Sequence, residues 1–328
     1  MKSSQKVTLQ INLAPSDWLH AKHILPHQLK QLSNQVDEIL LTLDLHRSAG
    51  RFAVGWEDNL PRIKNLIDDI CLKYSHAHFK EVDYSANAKI NVSNMFFKGQ
   101  DIPPKDFRGG PFYSYFFGLY SARYDYVFHL DSDLMFGGGS QTWVQEAIKL
   151  LNERQDVLIC SPLPGPPTRD GTLRSQIAYP EPYYSPAFKF DTLSTRLFLL
   201  DRNRFISQVQ YLPVKYAHIQ GIFKALVEGN YPYKLPEEVL TEAMQEKNLS
   251  RIDFLGASPG MWSLHPPYRS KEFYEALPQL IEKIETGLMP ESQLGDHDVN
   301  DSLVDWTSAR LKLKQNRWWK RLVNRWKK

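Results

Sequence analysis

The sequence predicts an α/β fold, a mostly parallel sheet flanked by helices, with a C-terminal basic helical tail. Three observations support that class. Apolar strand-like runs alternate with amphipathic helical runs from Val7 to Pro162, the rhythm of parallel strands joined by crossover helices. One such run, YDYVFHLDSDLMF over Tyr124–Phe136, ends in two aspartates one residue apart, Asp131 and Asp133. At 328 residues and 42% hydrophobic content, the chain can bury a large core, in one unit or two fused halves.

Taken in order, Val7–Ala14 alternates as a strand, and a helical stretch follows in which Pro26 marks a restart over His27–Gln35. Val36–Leu45 reads as a second strand, rich in Ile and Leu. Asn59–Tyr74 places Leu60, Ile63, Ile67, Ile70 and Cys71 on one helical face. His78–Tyr84 is a third strand. The turn Gly109-Gly110 then sets Pro111 in the first position of a helix reaching about Arg123. The aspartate strand comes next, stopped by Gly137-Gly138-Gly139, before a helix over Ser140–Arg154 and a strand over Asp156–Pro162. Beyond it the rhythm breaks. Pro162 to Phe190 holds seven prolines together with Tyr179, Tyr183 and Tyr184, a functional loop by its length, whose tyrosines could stack on sugars or simply cover the domain. Order resumes with a strand near Arg196–Asp201, helices near Tyr216–Glu228 and Pro236–Lys247, and short strands at Arg251–Leu255 and Met261–Leu264.

Composition excludes several classes. Two cysteines, Cys71 and Cys160, allow one disulfide at most and no cysteine metal cluster, a usage suited to a reducing compartment. The N-terminal residues lack the apolar centre of a signal peptide, and no run approaches the ~18 apolar residues of a membrane span. A cytoplasmic protein is the expectation. From Trp306 to Lys328 stand nine Lys or Arg and no acid, leaving 31 of the 40 basic residues against all 37 acidic ones on a mildly acidic body. In that tail Leu311, Trp318, Trp319, Leu322, Val323 and Trp326 fall on one side of a helix ringed by Lys and Arg. This is the composition of a helix lying on an anionic membrane surface, so the protein is expected at the inner face as a peripheral partner. Nucleic acid is excluded as a partner, because the body offers no basic groove.

The aspartate pair carries the chemistry. Residues i and i+2 of a strand share a face, so both carboxylates can converge on one point. Hard oxygen ligands at the carboxyl end of a buried strand suit Mg²⁺ or Mn²⁺ bound together with a nucleotide.

The order of a strand ending at Asp44, another ending at Asp83, a glycine turn with helix, Asp131-Ser132-Asp133, an acidic helix and a late histidine resembles the GT-A glycosyltransferases. It is most similar to the inverting, DxD-containing family 2 group, over about Val7 to Ser270. The resemblance implies a Rossmann-like catalytic domain over residues 1–290, with a nucleotide-binding half (1–138) and an acceptor half (139–290). A linker (291–305) and the basic tail (306–328) follow. It implies transfer of a sugar from a nucleotide-diphosphate donor, with Mn²⁺ or Mg²⁺, to a glycan or lipid-linked acceptor. In that pattern Asp131 faces the ribose or metal and Asp133 coordinates the cation, with His265 of the run HPPYR as a further metal ligand. Asp44 and Asp83 contact the nucleoside. Arg108, ahead of a helix N-terminus, and Arg269 reach the phosphates. The family's Arg-Asn pair in the following helix is replaced here by FYSYFFGLY, whose phenylalanines read as core. His129, by alternation, points with the aspartates. The acceptor's base falls on the helix start LPEEVLTEAM, at Glu238 with Glu237 beside it.

Two other readings share some of these residues. A haloacid-dehalogenase-like phosphatase also places Asp-x-Asp after a buried strand, but wants Thr or Val where Met135 stands, and its strand comes first rather than fourth. A non-catalytic sugar-binding protein on the same fold is the other.

Overall fold

The computed structural model describes residues 5–47, 55–174, 176–182 and 185–315. The first half is the expected alternation. Strands β1 (Val7–Leu13), β2 (Glu38–Leu43) and β3 (Ala77–Glu81) are linked by helices α1 (Trp18–Leu32) and α2 (Trp56–Lys73). Helices α3 (Ala86–Phe96) and α4 (Tyr113–Ser121) lead to β4 (Tyr126–Asp131). Then come β5 (Met135–Gly137), α5 (Trp143–Glu153), β6 (Val157–Pro164), β7 (Tyr179–Pro180), β8 (Ala187–Phe190) and β9 (Leu197–Asp201). The chain closes with α6 (Arg202–Val209), α7 (Ile219–Glu228), α8 (Pro236–Glu246), β10 (Ser250–Phe254), β11 (Trp262–Leu264), α9 (Lys271–Thr286) and α10 (Thr307–Gln315).

The main path of the sheet runs β3-β2-β1-β4-β9-β6-β10-β8-β7. Strands β3, β2, β1 and β4 pair in parallel, whereas β9 enters antiparallel to both β4 and β6. Between β1 and β4 the strand order reverses, the crevice where open α/β sheets bind ligands. The loops after β1, β2, β3 and β4 leave from that same edge of the sheet.

Strand β1 shows how the layers form. Val7, Leu9, Ile11 and Leu13 pack into a core with α1, α2 and α5, while the alternate residues Thr8, Gln10 and Asn12 are buried or half-buried on the other face. Both faces of β1 are thus covered, although only one of them is apolar. Gly118 of α4 leaves room for this layer: a Cβ there would stand 2.6 Å from the Gln10 amide and displace that side chain.

Several expectations change. Helix α1 runs through Pro26 without a restart. Helix α4 begins at Tyr113, so Pro111 precedes it and pairs with Lys105 in an isolated bridge. The glycine run does not simply end the aspartate strand, because β5 pairs antiparallel with β11. Gly138, at φ +90°, lets the turn approach Gly260, whose carbonyl would meet a Cβ at 2.3 Å. The linker expected over 291–305 is part of the packed body. Gln293, Val299, Val304 and Trp306 are buried, and the last three join a core with α9 and β11. Helix α10 also docks, through buried Ala309 and the bond from Ser308 Oγ to Glu272 Oε1 at 2.6 Å. The tail positions Trp318, Trp319, Leu322, Val323 and Trp326 lie outside the described residues. No described helix is long and apolar enough to cross a membrane.

Candidate functional site

Strand β4 ends at Asp131, and Ser132-Asp133 form the turn beyond it. The two carboxylates therefore converge through a turn and not by strand alternation, and they meet different surroundings. Asp133 is buried. Its Oδ2 accepts from Arg269 Nε at 3.0 Å and Nη2 at 2.8 Å, while its Oδ1 is buried with no hydrogen-bond partner among the described residues. Burial would raise its pKa, but the Arg269 guanidinium and then His265 outweigh that and hold it well below the usual carboxylate range. Asp131, a third exposed, is pushed the other way by burial first and then by the charge of Asp133. One carboxylate is firmly ionised and its neighbour holds its proton more tightly, as expected of two acids sharing a site.

Arg269 joins three segments. Its Nη1 donates to Asp17 Oδ1 at 2.9 Å, so the residue before α1, the β4 turn and the loop after β11 meet on one guanidinium. His20, one helical turn beyond Asp17, is buried with Nε2 3.0 Å from Ser132 Oγ. His265 follows β11. Its Nε2 lies 3.9 Å from Asp133 Oδ2 and its Nδ1 3.1 Å from Asp298 Oδ1. Below Asp131 runs a buried polar seam. The His129 ring bonds Gln10 Oε1, Gln10 Nε2 donates to Asn12 Oδ1 and Thr42 Oγ1 at 2.8 Å each, and His129 Nε2 lies 3.9 Å from Asp131 Oδ1.

The acidic helix start sits behind a short bridge. Residues 191–196 are tied to α8 by Gln245 Nε2 donating to Asp191 O at 3.0 Å and by Leu193 N–H donating to Thr241 Oγ1 at 3.0 Å. The same segment accepts the Asp131 N–H at Arg196 O, 2.8 Å away. Glu237 is exposed and accepts from Thr195 N–H at 3.4 Å. The buried Tyr115 hydroxyl feels both Asp131 and Glu237, which reinforce the upward push of burial on its pKa. Glu238 instead turns back on its own helix, accepting from Leu235 N–H at 3.3 Å as part of the cap.

The structure thus brings together Asp131, Asp133, His265 and Arg269, and links Glu237 to them only through Tyr115 and the segment of Thr195 and Arg196. Asp44 sits at the same edge, but its carboxylate is engaged by Lys105 Nζ at 2.6 Å, Tyr84 OH at 3.0 Å and His46 N–H at 2.8 Å. Asp83 is exposed and accepts from Ser85 N–H, just ahead of α3. It borders a shallow depression of about 440 Å³ with Lys80, Asn87, Asn91 and Tyr120, none of which belongs to the aspartate cluster. Arg108 is exposed on the glycine turn, its guanidinium 5.2 Å from the Phe107 ring centre. Asp17, His20, Arg196 and Asp298 belong to the cluster or its rim and were not found from sequence.

Two carboxylates and an imidazole are a donor set for Mg²⁺ or Mn²⁺, and the buried, unpartnered Asp133 Oδ1 fits a ligand role. Among the described residues no group of three or more His, Cys, Asp or Glu is placed to hold a metal ion by itself.

No protein-family model matches the chain, and no curated protein matches it in sequence. Among solved structures it is similar to S. aureus TarS, at 12% identity and TM-score 0.41, over 88% of this chain and 41% of TarS. It is similar to S. aureus TarS 1-349 in complex with UDP-GlcNAc, at 10% identity and TM-score 0.39, over 88% of this chain and 69% of that one. A third likeness is to galactosyltransferase LgtC in complex with donor and acceptor sugar analogs, at 11% identity and TM-score 0.32, over 87% and 98% of the two chains. This chain spans less than half of the full TarS chain. Likeness of this degree says nothing about substrate or mechanism.

Proposed function

We propose that this chain is a GT-A-type glycosyltransferase that moves a sugar from a nucleotide-diphosphate donor to an acceptor hydroxyl with inversion. The observation that carries the reading is the cluster of Asp131, Asp133, His265 and Arg269 at the switch point of the sheet. Two carboxylates, an imidazole and a guanidinium suit a polyanion that arrives with a cation. Mn²⁺ or Mg²⁺ held by Asp131 and Asp133, with His265 beside them, would act as a Lewis acid on the departing nucleotide.

The chain's own residues do the rest. Arg269 keeps Asp133 ionised and holds the loop after β11 against the β4 turn. Arg196, whose charge reaches Asp131, offers a second guanidinium at the rim. The edge after β2 and β3 takes the nucleoside, with Asp44 acting through Lys105 and Tyr84, and with Asp83 beyond them. Glu237 takes the proton of the acceptor hydroxyl, because it is exposed and faces the Thr195 segment, whereas Glu238 is spent on the cap. The acceptor is a glycan or a lipid-linked saccharide, and the basic tail brings the enzyme to an anionic membrane where cell-surface glycan or glycolipid is made.

A screen of nucleotide sugars with Mn²⁺, recording the nucleotide released, tests the reading. The Glu237→Gln variant should lose transfer by about 10²-fold with nucleotide affinity intact, and Glu238→Gln should lose far less. Release of no nucleotide from any donor would overturn the function. Full transfer by Glu237→Gln would remove the base from this position.

A further inference from the structure

His265 is held by the stretch expected as a linker. His265 N–H donates to His297 O at 3.0 Å, and Val299 N–H donates to His265 O at 2.9 Å, a short parallel bridge between the loop after β11 and residues 297–299. Fully buried Gln293 pins that stretch. Its Nε2 donates to the carbonyls of Asp296 at 3.0 Å and Asp298 at 3.1 Å, and its Oε1 accepts from Asn300 N–H at 2.9 Å. The backbone of Asp298 is thus fixed from both sides. Its carboxylate comes within 3.1 Å of His265 Nδ1, and the opposite ring nitrogen faces Asp133 Oδ2 at 3.9 Å.

An ionised carboxylate can only accept, so the bond to Asp298 puts the imidazole proton on Nδ1. In the neutral ring, Nε2 then keeps its lone pair on the side of the aspartate pair. We propose that Asp298 is a positioning residue that fixes the tautomer and ring orientation of His265, turning Nε2 toward the cation shared by Asp133 and a nucleotide diphosphate. The proposal rests on the reading of the site given above. Without Asp298, the ring is free to place its proton on Nε2 and donate it to Asp133, which removes the lone pair that a cation needs. A purely structural role fits poorly, because the Asp298 side chain is 57% exposed and the bridge itself is held by backbone bonds and Gln293.

Two measurements on the full chain test this. Long-range ¹H–¹⁵N spectra of histidine-labelled protein, with His265 assigned through His265→Gln, should show Nδ1–H in the wild type. Asp298→Ala should lose that signature, and Asp298→Asn, whose amide oxygen still accepts, should keep it. By calorimetry, Asp298→Ala should weaken Mn²⁺-dependent binding of UDP or GDP by about 10- to 100-fold, with Asp298→Asn between it and wild type. An unchanged tautomer in Asp298→Ala, or unchanged Mn²⁺-dependent binding, overturns the proposal. A wild type that binds neither nucleotide with Mn²⁺ overturns the reading of the site, and the spectra then decide the positioning claim alone.

Discussion

Asp131 and Asp133 are one residue apart and chemically unlike, because Arg269 hydrogen-bonds Asp133 directly and acts on Asp131 only through its charge. The pair could be read from the sequence, since a buried strand that ends in two acids has few structural uses. His265 and Arg269 could be read as site residues only through the order of the pattern around them. Asp17, His20 and Asp298 could not, because proximity across a separation of 252 residues, as between Asp17 and Arg269, is made by the sheet and leaves no local signal. His20 yields a test. Burial first, then the charge of Arg269, lowers its pKa from 6.5 to about 4. The unfolded chain therefore takes up a proton below pH 6.5 that the folded protein refuses until about pH 4. The cost is absent above pH 6.5 and grows as pH falls through that window, to about 3 kcal/mol. Asp131 works with the opposite sign, so the informative quantity is the difference between wild type and His20→Gln. Urea unfolding at pH 7.5 and 4.5 should show a smaller acid loss in the variant, and equal losses would place the burden on other groups.

At the scale of elements, β1, β2, β4, α2 and α5 were legible because their apolar residues repeat at strand or helix spacing. Helix α9 is absent from the sequence reading, although Phe273, Leu277, Leu280 and Ile284 keep that spacing behind a Ser270 cap and the helix runs through Pro278. Residues 291–305 misled for another reason. Their acidic, polar composition is that of a linker, yet the few apolar residues and Gln293 all point inward. Trp306 closes this stretch, donating from Nε1 to Val299 O at 2.7 Å and packing on Phe273 and Tyr268. Trp306→Ala should lower stability by about 3–5 kcal/mol in chemical denaturation, as for other large buried aromatics. A loss below about 1 kcal/mol would restore the linker reading.

The whole molecule divides its charge between an acidic body and a basic C-terminal segment. Helix α10 belongs to the body through Ala309, Ser308 and the ion pair of Arg310 with Asp301. We propose that any membrane contact is made by residues 316–328 together with the exposed Leu311 and Leu313 of α10. Removing residues 316–328 should leave thermal stability and nucleotide release unchanged and abolish co-sedimentation with anionic vesicles, and wild-type binding should weaken as salt rises. Undiminished sedimentation after the deletion would move the contact elsewhere. The central claim concerns the cluster at the sheet's switch point, and calorimetric titration of UDP and GDP with and without Mn²⁺ tests it most directly. The account predicts cation-dependent nucleotide binding by the wild type that Asp133→Ala loses. Equal binding by the two proteins, or binding indifferent to Mn²⁺, would contradict it.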